Sequence, residues 1–336
     1  MTCLARFSPS RRGFLSAAAA FAALPLARPD AEAGPAVRSV AGAFSQPLAA
    51  GWAGAVHGAA TALEASGGIA YSAEGGLDWN DQLALVRRLA DEGAQVVLAD
   101  AYAAEAELRA LAAAYPSTRF VLGSSFAGAP AAANVMVAEP APERAAFLAG
   151  VLAGSMAGSV TRPGGGGSAA RIAAVGSYPI TGVNRMLNAF RSGVRLAAPG
   201  AGFMVAHTRA WADPDRARKA AEAVLAGGAD VVFADATVAA SVRMARPGTA
   251  VILQSGGPVP DSAASAGILA AVEWDAREIL STVLGADPEP APAACACRLR
   301  LFDAAGPGEA LRAADEALET GRIALAADDG AADGLA

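Results

Sequence analysis

The sequence is poor in the residues from which catalytic and metal sites are built. Its 336 residues include two histidines, His57 and His207, far apart in the chain. The motifs of serine hydrolases, zinc proteases, P-loop proteins and dinucleotide-binding proteins are missing. No cluster of histidine, cysteine and acidic residues has metal-ligand spacing. We therefore expect a protein that is not an enzyme and has no cofactor, although missing motifs alone do not exclude an exported α/β hydrolase.

Cysteine is equally scarce. Cys3 lies near the N-terminus, and Cys295 and Cys297 form a C-x-C pair in an alanine- and proline-rich stretch. A disulfide across one residue is strained, and no histidine or further cysteine lies nearby to complete a metal site. We interpret the pair as free or loosely oxidised thiols without a functional role.

The charge and the composition argue against two further classes, nucleic-acid-binding proteins and membrane-spanning proteins. A net charge of -6 and a pI near 5.1 argue against a nucleic-acid-binding surface. Hydrophobic residues make up 54%, but aromatic residues only 6%, because alanine and glycine account for much of the apolar total. The uncharged stretch 145–161 is interrupted by glycines, so it favours a buried, close-packed helix over a membrane span. We expect a soluble mature protein.

The first 33 residues resemble an export signal. Arg11 and Arg12 precede Phe14-Leu15 and an apolar run, and Ala31-Glu32-Ala33 is typical of a cleavage site. The order Ser-Arg-Arg-Gly-Phe-Leu is similar to a twin-arginine signal. We predict export to the periplasm with cleavage after Ala33, the alternative being an uncleaved N-terminal membrane anchor.

Short apolar runs then alternate with helical patterns, which is typical of βαβ units and parallel sheets. The predicted strands are 39–44, 68–71, 95–99, 119–122, 134–137, 172–175, 203–206, 230–234 and 250–253. The predicted helices are 48–66, 78–93, 103–115, 142–157, 180–197, 213–227 and 236–246. A last strand and helix follow the segment 287–294, whereas 161–170 is predicted to be a surface loop.

Two segments follow the same plan, about 135 residues apart in the sequence. Each is a helix, a glycine stop and a buried strand that ends in an aspartate, Asp100 in one and Asp235 in the other. The second helix has Asp213 as its N-cap and Pro214 at its first position. The repeat indicates two similar α/β lobes with a cleft between them.

Aromatic and polar residues follow the predicted strands, where ligands bind in open α/β sheets. Aromatic rings suit the faces of a flat, nitrogen-rich ligand, and carboxylates and amides suit its edges. The alternative is that the tryptophans are core residues of the lobes. The candidate ligand-binding residues are Trp52, Asp100, Tyr102, Ser177, Tyr178, Asp235, Gln254 and Trp274.

Several of these residues lie in segments that resemble the basic membrane protein family of ABC-transporter solute-binding proteins, and most closely its purine- and nucleoside-associated branch. The similarity runs from about Val37 to Leu325. It is clearest in "GSYPITGVNRMLNAFRSGVRLAAPGA" (176–201) and in "RAWADPDRARKAAEAVLAGGADVVF" (209–233), which is similar to the family's Ser-Trp-Tyr-Asp-Pro helix. Two departures concern the ligand: Ala53-Gly54 replaces the family's Thr-Tyr, and Gly256-Gly257 stands where the family has an acidic residue.

The resemblance implies a periplasmic-binding-protein type I fold with two hinged lobes, each with a mostly parallel sheet. We place the first lobe at 36–132 plus a returning segment near 249–273, and the second at 133–248 plus C-terminal elements. The solute-binding domain would span 34–325, followed by a disordered tail at 326–336.

The function that the resemblance implies is delivery of a purine base, nucleoside or similar heterocycle to an inner-membrane ABC permease with ATPase subunits. Such a protein is expected to be monomeric and to bind no nucleic acid. The alternative is a periplasmic ligand sensor that acts on a signalling receptor.

Overall fold

The structure is a computed structural model that describes residues 38–102, 104–124, 132–157, 170–257, 259–263, 267–285, 293–302 and 308–325. The proposed signal segment, most of 161–170 and 287–294, and the proposed tail lie outside these residues. In the described part the strands are β1 (Arg38–Ala43), β2 (Ile69–Glu74), β3 (Val96–Asp100), β4 (Arg119–Gly123), β5 (Val135–Pro140), β6 (Arg171–Gly176), β7 (Gly202–His207), β8 (Val231–Ala234), β9 (Ala250–Ser255), β10 (Ile268–Asp275) and β11 (Ala293–Leu301).

The helices alternate with the strands, as the sequence predicts. Those that the structure describes are α1 (Gly51–Ala65), α2 (Trp79–Asp91), α3 (Glu105–Ala114), α4 (Glu143–Ala157), α5 (Thr181–Ala197), α6 (Pro214–Ala226), α7 (Ala236–Ala245), α8 (Arg277–Val283) and α9 (Gly308–Glu319). The α6 helix has the predicted ends: Asp213 accepts hydrogen bonds from the N–H groups of Asp215 and Arg216, and Gly227 is its C-cap.

The strands are hydrogen-bonded in the order β2-β1-β3-β4-β5-β11-β10-β9-β8-β6-β7. All neighbours are parallel except β10 and β11, which are antiparallel. The β11 strand belongs to both halves of this order. Its residues Ala293–Cys295 pair with β5, whereas Ala296–Leu301 pair with β10. We call the β1–β5 half lobe 1 and the β6–β10 half lobe 2, and the α/β fold with two lobes is confirmed.

Each half-sheet is covered on both faces, because parallel strands bury both of their faces. In lobe 1, one core contains residues of α1 and α8 and the other contains residues of α2 and α3. In lobe 2, one core contains residues of α4, α5 and α9 and the other contains residues of α6 and α7. Strands in the interior of the sheet, such as β3 and β8, are accordingly buried along their whole length, whereas the edge strand β2 alternates between buried or half-buried and exposed residues.

The observed strand pairing places two segments differently from the expected lobe boundaries. The β5 strand pairs with β4, so residues 135–140 belong to lobe 1. The segment 249–273 forms β9 and most of β10, which pair with β8 and with each other in lobe 2. The chain returns to lobe 1 only afterwards, through α8, whose residues Ile279 and Leu280 pack in the α1 core.

The uncharged segment that begins at residue 145 forms most of α4, which packs against α5. An ideal Cβ on Gly150 would lie 2.0 Å from the Phe190 carbonyl oxygen, and one on Gly193 would lie 2.0 Å from that of Phe147. Small residues therefore let the two helix backbones approach closely, as predicted. None of the helices that the structure describes is long and apolar enough to cross a membrane.

Candidate functional site

A cavity lies between the two lobes, at the carboxyl ends of the strands. Its space free of protein atoms, including the part open to solvent, is about 840 Å³. Loops after β1 and β3 contribute from lobe 1, and α5 with the ends of β6, β8, β9 and β10 contributes from lobe 2. The lining residues include Gln46, Gly51, Tyr102, Ser177, Val183, Met186, Trp211, Asp235, Gln254, Gly256 and Trp274. This is the position at which ligands bind in open α/β sheets.

On the lobe 1 side, Gln46 holds the start of α1 against the cavity. Its Oε1 accepts a hydrogen bond of 3.2 Å from the Ala53 N–H. The Gln46 backbone N–H donates in turn to Asp100 Oδ2 at 2.9 Å. Ala50, the N-cap of α1, provides no side-chain hydrogen bond to the first turn, and Ala50 and Gly51 both line the cavity.

On the lobe 2 side, two hydrogen-bond acceptors stand next to each other. Ala234 of β8 pairs with Leu253 of β9, so Asp235 and Gln254 follow at the ends of adjacent strands. Asp235 Oδ1 accepts the N–H groups of Thr237 and Val238 and thereby caps α7. Burial raises the pKa of the Asp235 carboxyl, while these two hydrogen bonds oppose the shift.

The orientation of the Gln254 amide follows from its neighbours. Nε2 donates to the carbonyl oxygens of Val175 at 3.0 Å and of Phe233 at 3.2 Å. Both partners are acceptors, so the amide nitrogen must face them. Gln254 therefore offers its Oε1, an acceptor, to a ligand.

Trp274 of β10 also lines the cavity. Its indole Nε1 is buried and has no hydrogen-bond partner among the described residues. The ring lies between the lobes, packing against a core of each. An unpaired buried N–H costs free energy. Cys297 pairs with Trp274 across the β10–β11 ladder, and both Cys295 and Cys297 are free thiols.

Three aromatic rings from both lobes pack together in tilted contacts at one side of the cavity. The Trp211 ring centroid lies 5.6 Å from that of Tyr102 and 5.1 Å from that of Tyr178. Trp211 and Tyr102 line the cavity, whereas Tyr178 does not. Tyr178 therefore contacts a lining residue without lining the cavity itself. The Arg209 N–H also donates to the Ser177 carbonyl, which ties the Trp211 loop to the Tyr178 loop.

The eight predicted site residues thus divide into two groups. Tyr102, Ser177, Asp235, Gln254 and Trp274 line the cavity, and Tyr178 is one ring removed from it. Trp52 and Asp100 do not line it. Trp52 is fully buried in lobe 1, its Nε1 donates to the Ala99 carbonyl oxygen, and its ring fills the space beside Gly123. This matches the alternative that Trp52 is a core residue.

Asp100 is likewise inaccessible, because protein donors surround its carboxylate. Ser45 donates its N–H and its hydroxyl, Gln46 its N–H, and Gln82 its Nε2. Asp100 therefore fixes the loop that carries Gln46, and its carboxylate is enclosed by protein donors. Glu273, which neighbours Trp274, is 3% exposed and pairs with Arg298 and Arg300.

Sequence reasoning did not include Trp211 and Gln46 among the site residues. Trp211 stands three residues before Pro214, in the stretch with the clearest family resemblance, so its position was a usable signal. Gln46 carries no such signal, since its role depends on Asp100, which is 54 residues away.

The cavity is poor in charge. Among the lining residues that the structure describes, Asp235 is the one carboxylate, and there is no lysine, arginine or histidine. No group of three or more potential metal ligands occurs in the described part of the chain. This arrangement suits a small neutral or cationic molecule with aromatic or apolar faces, since the described part of the lining offers no cation to pair with an anion.

Comparison with known proteins agrees with this fold and site position. The profile of the family of PnrA-like ABC transporter substrate-binding proteins matches residues 55–246, more than half of the chain. The chain belongs to this family. It is also 40% identical over 74 residues to a Haloferax volcanii protein described as an ABC transporter glucose-binding protein. That match spans about a fifth of the relative, 19% of its length.

Solved structures of solute-binding proteins share the fold of this family member. A solute-binding protein from Conexibacter woesei has a TM-score of 0.65 at 19% identity, covering 87% of this chain and 99% of that one. One from Aeropyrum pernix has a TM-score of 0.66 at 14% identity, covering 85% and 87%. The Caulobacter myo-inositol binding protein has a TM-score of 0.55 at 16% identity, covering 86% and 100%.

Proposed function

We propose that this protein is an exported solute-binding component of an ABC transporter that delivers a neutral heteroaromatic ligand, a purine base or nucleoside, to a membrane permease. The observation that carries the proposal is the interlobe cavity, with Trp211 and Tyr102 on one side and two adjacent acceptors on the other. Ligand binding between the lobes would favour their closed arrangement, which the permease recognises.

The composition of the cavity wall supports a heterocycle over a sugar. Apolar residues such as Val183, Met186 and Trp211 form much of the wall, and polar side chains are few. A monosaccharide has a hydroxyl on most carbons, and each buried hydroxyl without a partner costs free energy. A purine needs only a few partners along its edge and buries two apolar faces.

The N-terminal segment supports export. Its paired arginines, apolar run and Ala-x-Ala sequence suit delivery to the periplasm with cleavage after Ala33, where the protein would act as a monomer beside an inner-membrane permease. N-terminal sequencing of the protein recovered from a periplasmic fraction tests this step. A mature chain that retains residues 1–33 would contradict it.

The ligand class can be tested by isothermal titration calorimetry on protein that has been stripped of ligand by unfolding and refolding. Guanosine, inosine, adenosine and hypoxanthine form one group of probes, and glucose and myo-inositol form the other. We expect at least one nucleoside or base to bind about 100-fold more tightly than either sugar, a difference of about 2.7 kcal/mol. Tighter binding of glucose or myo-inositol, or no binding of any nucleoside or base, would overturn the proposed ligand class.

A matched variant connects binding to the site. Asparagine at position 235 keeps an oxygen that can accept the Thr237 and Val238 N–H groups, so the cap of α7 persists. It replaces the negative charge by a neutral amide. We expect Asp235→Asn to keep the melting temperature of the free protein and to weaken binding of the best probe about tenfold or more. Unchanged affinity in Asp235→Asn would place the ligand elsewhere.

A further inference from the structure

Backbone atoms of the two lobes come close together at one edge of the cavity. Gly256 and Gly257 follow β9 in lobe 2, and Gly51 and Gly54 lie in the first turn of α1 in lobe 1. An ideal Cβ on Gly256 would lie 1.8 Å from the Gly51 carbonyl oxygen and 2.4 Å from the Gly51 nitrogen. An ideal Cβ on Gly257 would lie 3.1 Å from the Gly54 carbonyl oxygen.

A side chain at position 256 cannot fit while the lobes are in this arrangement. The atoms that it would meet are backbone atoms, which cannot rotate away as the end of a flexible side chain can. The lobe 1 side of the contact is also held in place. Gly51 has a positive φ of 52°, and an ideal Cβ there would lie 2.5 Å from Gln46 Oε1.

The supports of this contact continue into the core of lobe 1. Gln46 Oε1 accepts the Ala53 N–H of the same first turn, and the Gln46 N–H donates to the buried Asp100 carboxylate. The start of α1 is therefore fixed relative to the lobe 1 sheet. A Cβ at position 256 would be accommodated by moving lobe 2 away from lobe 1. The two lobes lie on opposite sides of the cavity, and Gly51 and Gly256 both line it.

We infer that Gly256-Gly257 is the interlobe docking point that allows the cleft to close, and that a side chain at position 256 holds it open. This inference does not depend on the identity of the ligand. By this inference the two glycines increase the affinity for the ligand, because a ligand that contacts both lobes binds tightly only in the closed arrangement.

Hydrogen exchange measured by mass spectrometry tests the docking point without any ligand. Because the first N–H groups of α1 have no intrahelical acceptor, the closed arrangement protects them from water, and peptides covering 46–56 report on closure. We expect Gly256→Ala to exchange in these peptides about tenfold faster than the wild type, and Gly257→Ala to show a smaller increase, since its Cβ contact is milder. The matched control is Gly248→Ala, just before β9 in the same lobe, where a Cβ would meet nothing within 4 Å.

The outcomes separate this inference from the proposed function. Faster exchange that is confined to the segments at the contact in Gly256→Ala, with Gly248→Ala like the wild type, supports the docking point even if no nucleoside binds. Wild-type exchange at 46–56 in Gly256→Ala overturns it, whatever the ligand is. If Gly256→Ala does not fold, Gly257→Ala becomes the test variant. Wild-type exchange at 46–56 in Gly257→Ala then overturns the inference.

Affinity gives a second readout. For a nucleoside that the wild type binds in calorimetry, we expect Gly256→Ala to weaken binding about tenfold or more and Gly248→Ala to leave it unchanged. Unchanged affinity in Gly256→Ala would show that closure tolerates a side chain at this point and would contradict the inference.

Discussion

At the scale of single residues, Tyr178 contacts the cavity through Trp211. Its ring centroid lies 5.1 Å from that of Trp211, and only Trp211 lines the cavity. We expect Tyr178→Ala to weaken binding of the best nucleoside probe about three- to tenfold, the value of an aromatic pair. Calorimetry measures the affinity, and thermal unfolding shows whether the fold persists.

The control for this prediction is Tyr178→Phe, which keeps the ring and removes the hydroxyl. It should bind nearly as tightly as the wild type. Equal losses in Tyr178→Phe and Tyr178→Ala would instead mean that the hydroxyl matters, and a large loss of melting temperature in Tyr178→Ala would identify Tyr178 as a core residue.

Asp100, by contrast, is expected to affect stability first. Its carboxylate accepts hydrogen bonds from Ser45, Gln46 and Gln82, all of which are donors in these contacts. An asparagine would turn its own N–H₂ group toward one of them. We expect Asp100→Asn to lower the free energy of unfolding by about 2–4 kcal/mol, measured by urea denaturation.

The exposed Asp81, in the first turn of α2, provides the comparison. Asp81→Asn should change the free energy of unfolding by no more than about 0.5 kcal/mol. If Asp100→Asn were as stable as the wild type yet failed to bind, the original expectation of a direct ligand contact would be restored.

At the scale of helices and strands, the α4–α5 contact decides whether replacing a glycine raises or lowers the free energy of unfolding. Helix propensity alone predicts that alanine in place of Gly193 stabilises the protein by about 1 kcal/mol. The structure predicts the opposite, because the added Cβ would lie 2.0 Å from the Phe147 carbonyl oxygen. We expect Gly193→Ala to cost about 3 kcal/mol or more in urea denaturation.

Gly200, in the turn after α5, is the matched site, since an added Cβ meets nothing within 4 Å. Gly200→Ala should therefore be close to neutral. A stabilised Gly193→Ala would mean that the two helices do not approach as closely as the structure has them.

The elements that sequence could predict are those whose signals are local. The nine strands and seven helices predicted before residue 287 all occur, as do a last strand and helix after them, because apolar runs, the Asp213 cap and the glycine stops are each contained within a few residues. The β10 strand was not predicted, since its alanine-rich run, "ILAAVEWD", is equally compatible with a helix. The seven-residue α8 is too short for a clear helical period.

The candidate site was less predictable for a physical reason. The strand-end rule identifies residues that point to the correct edge of the sheet, and five of the eight predicted residues line the cavity. It does not tell a ligand contact from a buried support. Asp100 and Asp235 lie at the ends of equivalent strands, yet only the Asp100 carboxylate is fully enclosed by donors from its own lobe. Those donors lie 18 to 55 residues from Asp100 in the sequence.

At the scale of the whole molecule, β11 makes the lobes interdependent. It is hydrogen-bonded to β5 through its first three residues and to β10 through its last six, so each half-sheet has a part of it as its edge. The chain also passes between the lobes at Pro140–Glu143 and at Asp275–Arg277. Unfolding of one lobe would therefore disturb elements of the other.

We therefore expect the protein to unfold in a single cooperative transition rather than lobe by lobe. In differential scanning calorimetry, the ratio of calorimetric to van't Hoff enthalpy should be close to one, and unfolding in urea followed by tryptophan fluorescence should coincide with that followed by circular dichroism. Trp52 reports on lobe 1 and Trp211 on lobe 2, so single-tryptophan variants should give the same urea midpoint. Two separated midpoints would mean that β11 can leave one half-sheet while the other remains folded.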